Sequence, residues 1–118
     1  MVLGITMRIG DLVEKSGVTA STIRFYERNG LVHSHEGESK TNNYRHYPED
    51  NVERLKFFTQ AREAGMSVAE LKSLMEAIGD GCDEKAGRKV IEERIADLSE
   101  RVDQINKVVD FLQSQLAR

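Results

Sequence analysis

Arg24, Phe25, Tyr26 and Arg28 fall within five residues, in the stretch TIRFYERNGLV, and Asn29-Gly30 closes the run. An apolar helix face has no use for arginine, and a solvated face has none for paired rings. A guanidinium grips phosphate oxygens or a guanine edge with two parallel bonds, and a tyrosine hydroxyl donates to phosphate. Arg45, with Tyr44 and Tyr47 on either side, repeats the combination. Four of the aromatic residues, of which the chain has three Tyr and four Phe, lie between positions 25 and 47. With Arg24, Arg28, Lys40 and Arg45 they make the densest mixture of rings and cations in the chain. On a helix turning about 100° per residue, Ile23 faces inward while Arg24 points elsewhere, and Phe25 and Tyr26 cannot share one narrow buried face. We assign Ile23 and Phe25 to packing, and Arg24 and Tyr26 to a phosphate backbone and groove. The competing reading is a partly buried tyrosine beside two surface arginines. In the second set, one tyrosine is expected to pack and Arg45 to reach phosphate.

These side chains need a frame. Ile9, Leu12 and Val13 give an apolar side to a helix over about residues 11–16, and Gly17 suits the left-handed position that ends it. Thr19 caps a second helix over 20–28, which Gly30 closes. Two short helices joined by a glycine-containing turn make a helix-turn-helix outline. Residues 31–47 read as a hairpin around the polar stretch EGESKTNN. Pro48 is expected in the first turn of a helix running to about residue 64, with Val52, Leu55, Phe58 and Ala61 on its apolar side. Ser67 and Glu70 form a capping box for a further helix reaching about residue 78. GDGCD, residues 79–83, is a break.

The last segment is the most regular. Ile91, Ile95, Leu98, Val102, Ile105, Val109, Leu112 and Leu116 recur at alternating intervals of four and three. Ile95, Val102, Val109 and Leu116 are the a positions of a heptad, and Ile91, Leu98, Ile105 and Leu112 are the d positions. A helix over 84–117 would be about 50 Å long. It reads as one strand of a two-chain coiled coil, with these eight residues as the dimer interface. The alternative is a long core helix of a small bundle.

The 118 residues are 39% hydrophobic and 31% charged, with a net charge of −3. Residues 1–63 carry nine basic and nine acidic residues, and residues 64–118 eight and eleven. A nucleic-acid binder usually has a basic surplus, so any such role rests on local placement. The single cysteine, Cys82, excludes an internal disulfide and fits a reducing, cytoplasmic setting. The N-terminus does not resemble a signal peptide, and no apolar run has the length of a membrane span. No nucleophile–base set and no phosphate-binding glycine loop is present, so an enzyme is not expected.

With these motifs in view, the chain resembles the MerR family of transcriptional regulators. The likeness lies in RIGDLVEKSGVTASTIRFYERNGL, in NNYRHYPEDNVERLKFFTQAREAGMSVAELKSLM and in the long final helix. It implies a mainly α fold: a winged helix-turn-helix over 8–78 after an extension of residues 1–7, then a linker and antiparallel coiled-coil dimerisation helix over 79–118. The recognition helix would be 20–28, the wing 31–47 and a second helix pair 49–78. Thr19, Ser21, Thr22, Arg24, Tyr26 and Arg28 would contact double-stranded DNA from the helix, and Tyr44 and Arg45 from the wing. The resemblance further implies a homodimer that binds a pseudo-palindromic promoter element and distorts it for RNA polymerase, an indirect use of DNA shape. No cofactor and no membrane partner is implied. The alternative function is a protein-interaction module that assembles through the coil and docks through the winged domain.

Cys82 keeps three readings: a structural residue, a sensor thiol made acidic by the following helix N-terminus, or one ligand of a metal site completed elsewhere. Asp80, Asp83 and Glu84 oppose thiolate formation. Metal-sensing members of the family add two cysteines beyond the long helix, and these 118 residues hold none there, so no metal site and no effector is assigned. His33, His35 and His46 all fall in the wing and are expected to face solvent.

Overall fold

A computed structural model describes residues 6–36, 45–79 and 84–118. The expected wing tip, Tyr44 and Cys82 lie outside the described residues. The order is β1 (Thr6–Met7), α1 (Ile9–Ser16), α2 (Ala20–Arg28), β2 (His35–Glu36), β3 (Arg45–Pro48), α3 (Asp50–Glu63), α4 (Val68–Ile78) and α5 (Glu84–Leu116). The chain forms two compact units, residues 1–73 and 74–118, which meet within α4.

In the first unit α1 packs on α2 and α3. Leu12, Ile23, Leu31, Val32, Leu55, Phe58 and Leu71 are sealed from solvent. Thr19 caps α2 as expected, its hydroxyl accepting from the Thr22 N–H at 3.3 Å. The capping box of α4 is reciprocal: the Ser67 N–H donates to Glu70 Oε1, and the Glu70 N–H to Ser67 Oγ, each at 3.1 Å. Gly17 ends α1 at φ 75°, a left-handed angle that a side chain would oppose, and its N–H donates to the Val13 carbonyl at 2.9 Å.

Three expectations are corrected. First, α1 starts at Ile9, because the Leu12 N–H bonds the carbonyl of extended Arg8 at 3.1 Å without any side-chain cap to mark the start. Second, Thr6 and Met7 are not part of an appendage: they pair antiparallel with Pro48 and Tyr47, and Met7 is buried. Third, Pro48 ends a strand instead of opening a helix. It closes β3, the central strand of a sheet ordered β1-β3-β2, and a strand end tolerates the missing donor. Across the other edge His35 faces His46 and Glu36 faces Arg45.

Asn51, on α3, is the buried polar residue of this unit, and its Nδ2 donates to the His33 carbonyl at 2.9 Å. That bond fixes the segment leading into β2 against α3. Among the described residues no buried side-chain nitrogen or oxygen lacks a partner.

The second unit contains the rest of α4 and the 33 residues of α5. At about 1.5 Å per residue α5 is about 50 Å long. Ile91 and Leu98 are half-buried, whereas every residue from 99 onward is exposed. Ile95, Val102, Ile105 and Leu112 each keep more than half their surface, and Leu116 keeps 87%. The apolar seam is therefore open to solvent in the single chain.

Near its start α5 passes close to α4. A Cβ on Gly87 would overlap the carbonyl oxygen of Ala77 and stand 3.4 Å from its carbon. Gly10 on α1 has nothing within 4 Å of such an atom. Glycine to alanine in a helix ordinarily stabilises by about 1 kcal/mol. Gly10→Ala is expected to hold or raise the melting temperature. Gly87→Ala is expected to lower it, by about 1–3 kcal/mol of stability, because backbone must move. Thermal unfolding followed by circular dichroism checks the opposite signs.

Candidate nucleic-acid interface

Helical period decides which side chains α2 offers to solvent. Ile23 and Tyr26 are three apart and share the buried face. The Tyr26 ring packs on Phe58 with centroids 5.1 Å apart and planes tilted by 55°. Phe25, about 200° around the helix from Ile23, is 40% exposed. The assignment made from sequence is thus reversed: Phe25 lies outside and Tyr26 inside, so Tyr26 is not a surface group for phosphate. Ser21, Arg24, Phe25 and Arg28 stand at positions i, i+3, i+4 and i+7, and all are exposed. Phe25 was missed as part of this face, although the same period could have found it.

The hydroxyls at the start of α2 form a linked group. Thr19 Oγ1 lies 2.9 Å from Thr22 Oγ1 and 3.3 Å from Ser21 Oγ. The far end stops sharply. Gly30, at φ 76°, sends its N–H to the Glu27 carbonyl at 3.0 Å, and the Leu31 N–H reaches the Tyr26 carbonyl at 2.9 Å. This turn starts the chain toward β2 with Leu31 and Val32 buried.

Strand β3 alternates, so Arg45 and Tyr47 point the same way. Both meet Glu27 of α2. The Tyr47 hydroxyl donates to Glu27 Oε1 at 2.7 Å. The Ser34 hydroxyl donates to Oε2, and an Arg45 guanidinium nitrogen, NH1, lies 3.5 Å from the same oxygen. That nitrogen also donates to Ser34 Oγ at 3.1 Å. Tyr47 is 2% exposed and is the packing tyrosine that the sequence requires of this hairpin. Burial first, and then the hydrogen bond and the negative charge of Glu27, push its hydroxyl up from 10.0 to about 12.

Two open cavities flank this junction. One, of about 560 Å³, is lined by Arg8, Ile9, Gly10, Asp11, Arg24, Arg45 and Tyr47. The other, of about 410 Å³, is lined by Arg24, Glu27, Arg28, Arg45 and Tyr47. Arg24 and Arg45, predicted from separate elements, thus line the same two cavities, and Arg28 joins them in one. Arg8, Glu27 and Ser34 were missed. Arg8 carries a sequence signal, a cation at the mouth of a helix, but Glu27 and Ser34 carry none, because only the fold brings them to Arg45. His33 and His35 are exposed, and His46 is half-buried. Among the described residues no group of three His, Cys, Asp or Glu is placed to hold a metal ion. No helix among them is long and apolar enough to cross a membrane.

Comparison with known proteins agrees with this geometry. Residues 7–78 match the MerR HTH family of regulatory proteins, and residues 52–115 match the family described as MerR, DNA binding. The HTH-type transcriptional regulator ZntR of Escherichia coli strain K12 is 32% identical over 111 residues, covering 90% of this chain and 75% of that protein. The chain spans about half the length of several other curated relatives it matches. A crystal structure of a MerR family transcriptional regulator from Listeria monocytogenes superposes with a TM-score of 0.79 at 29% identity, covering 93% of this chain and 83% of that one. HiNmlR, described as a MerR family regulator lacking the sensor domain and bound to promoter DNA, gives 0.53 at 26% identity, over 96% and 94%.

The Tyr47 hydroxyl gives a test of the junction. Its folded value lies above the ordinary one, so the native state keeps this proton longer than the unfolded chain does. The stabilisation is fully present below pH 10 and is lost as pH rises through about 12. Tyr47→Phe should cost about 1–3 kcal/mol at about pH 9, where a hydrogen bond to a charged group is lost. Urea unfolding at about pH 9 and about pH 11 should show the gap between wild type and variant shrinking as pH rises. A gap independent of pH contradicts the raised hydroxyl.

Proposed function

The chain belongs to the MerR family of DNA-binding transcriptional regulators, and we propose that it acts as a homodimer on a pseudo-palindromic promoter element. In this reading each copy lays α2 in a major groove, with Ser21, Thr22, Arg24 and Arg28 toward the duplex and Thr19 at the helix start. Arg45 and Tyr44 of the wing reach the flanking backbone. The promoter is distorted as it is bound, and RNA polymerase in the cytoplasm responds to the altered shape.

The observation that carries the proposal is the joint position of Arg24 and Arg45 on the two cavities beside α2. Arginine from a helix and arginine from a strand, converging on one open surface, form a site for phosphate and base edges. HiNmlR, the relative bound to promoter DNA, supports the same role. The dimer rests on the open heptad seam of α5. Leaving Ile95, Val102, Ile105, Val109, Leu112 and Leu116 in water forfeits about 25 cal/mol for each Å² of apolar surface that a partner would cover. A two-fold pair also doubles a local basic surface that the net charge of −3 hides.

Arg24→Ala and Arg45→Ala should each weaken binding to a selected operator by about 1–3 kcal/mol, roughly tenfold to a hundredfold, with the dimer intact. Fluorescence anisotropy with labelled duplex checks this, and unaltered affinity in both variants would favour the assembly-module alternative. Binding should also fall steeply with salt, and Arg45→Ala should lower the slope of log affinity against log salt by about one. Val102→Asp with Ile105→Asp should leave a single-chain species in analytical ultracentrifugation and remove operator binding. A dimer that survives both aspartates would overturn the seam as its interface.

A further inference from the structure

We infer that Glu27 is a positioning residue for DNA: its carboxylate fixes Arg45 and strand β3 against the recognition helix, so that both elements meet the duplex as one surface. The inference rests on the DNA-binding reading above and deepens it by naming what aligns the wing.

An acid on this helix needs a reason. Its exposed neighbours are Arg24 and Arg28, and phosphate would repel it. Glu27 stands four residues after Ile23, at the margin of the buried face, and its side chain is only 20% exposed. Both carboxylate oxygens are engaged from across the sequence. Tyr47 OH occupies Oε1 at 2.7 Å, while Ser34 Oγ and the Arg45 guanidinium share Oε2. Ser34 leads into β2 and Arg45 opens β3, so one side chain of α2 holds both strands of the wing. Arg45 uses one terminal nitrogen for this and remains 52% exposed. An arginine so tethered has already lost much of its rotamer freedom before DNA arrives, and binding need not remove it.

Simple charge counting gives the opposite sign. Removing an acid beside arginines should tighten binding to a polyanion and steepen its salt dependence. Positioning predicts weaker binding and a shallower slope, because Arg45 is released with the acid.

The test uses the full chain and a duplex that the wild type has selected from random DNA. Glu27→Gln, which keeps the size of the side chain, should bind about tenfold more weakly than wild type, with a salt slope lower by about one. In an Arg45→Ala background the same change should alter affinity by less than about twofold, since the two act through one contact. Binding as tight as wild type, tighter binding, or fully additive losses would overturn the inference while leaving the DNA-binding reading intact. A wild type that selects no sequence overturns that reading, and the role of Glu27 with it. A further measurement needs no variant: the Arg45 Nε–H of the free protein should show restricted motion in ¹⁵N relaxation, and freely averaged motion would also overturn the inference.

Discussion

What α2 presents to solvent follows from the burial of its opposite face. Ile23 and Tyr26 turn inward, and the Tyr26 ring lies on Phe58 of α3. A helix cannot bury that face without turning Ser21, Arg24, Phe25 and Arg28 outward. Rotation by one residue would drag Arg24 toward a core that holds Leu12, Leu55 and Phe58, where no carboxylate is fully buried among the described residues. Aromatic packing therefore fixes the azimuth of the helix, and the azimuth decides which cations face outward. The tyrosine that looks like a phosphate ligand in the sequence is the anchor that orients the true surface.

The wing is held by another kind of force. Its strands are short, two and four residues, and short strands contribute few ladder bonds. The link from Glu27 to Tyr47, Ser34 and Arg45, together with the Asn51 bond to His33, supplies polar fixation where there is little apolar area to bury. Such contacts are directional, which suits the proposed role of presenting one guanidinium at one place. In the second unit the apolar seam is regular, and from residue 99 onward it is exposed, a pattern suited to a partner helix.

Much of this was legible in the sequence, for identifiable reasons. Helix α2 carries a capping threonine at one end and Asn-Gly at the other, and its bounds fall where those residues put them. The capping box at Ser67 and the heptad of α5 are equally local signals. Arg24, Arg28 and Arg45 stood out by type. What could not be read depends on distance along the chain. Glu27 and Tyr47 are 20 residues apart, and nothing near either announces the other. Pro48 looked like a helix opener because its strand partner, Thr6, lies at the opposite end of the domain. The choice between Phe25 and Tyr26 was open to helical period alone, since Tyr26 and not Phe25 stands three residues from Ile23; the Tyr26 ring on Phe58 is the contact that shows it.

In the proposed assembly two copies, joined along α5, offer a matched pair of arginine faces to one duplex. Repeated selection of bound duplexes from random DNA, with the purified chain, tests it most directly. The expected result is enrichment of an inverted repeat whose two halves lie a whole number of helical turns apart, about 34 Å per turn. Enrichment of a lone half-site, or of no sequence at all, would contradict it.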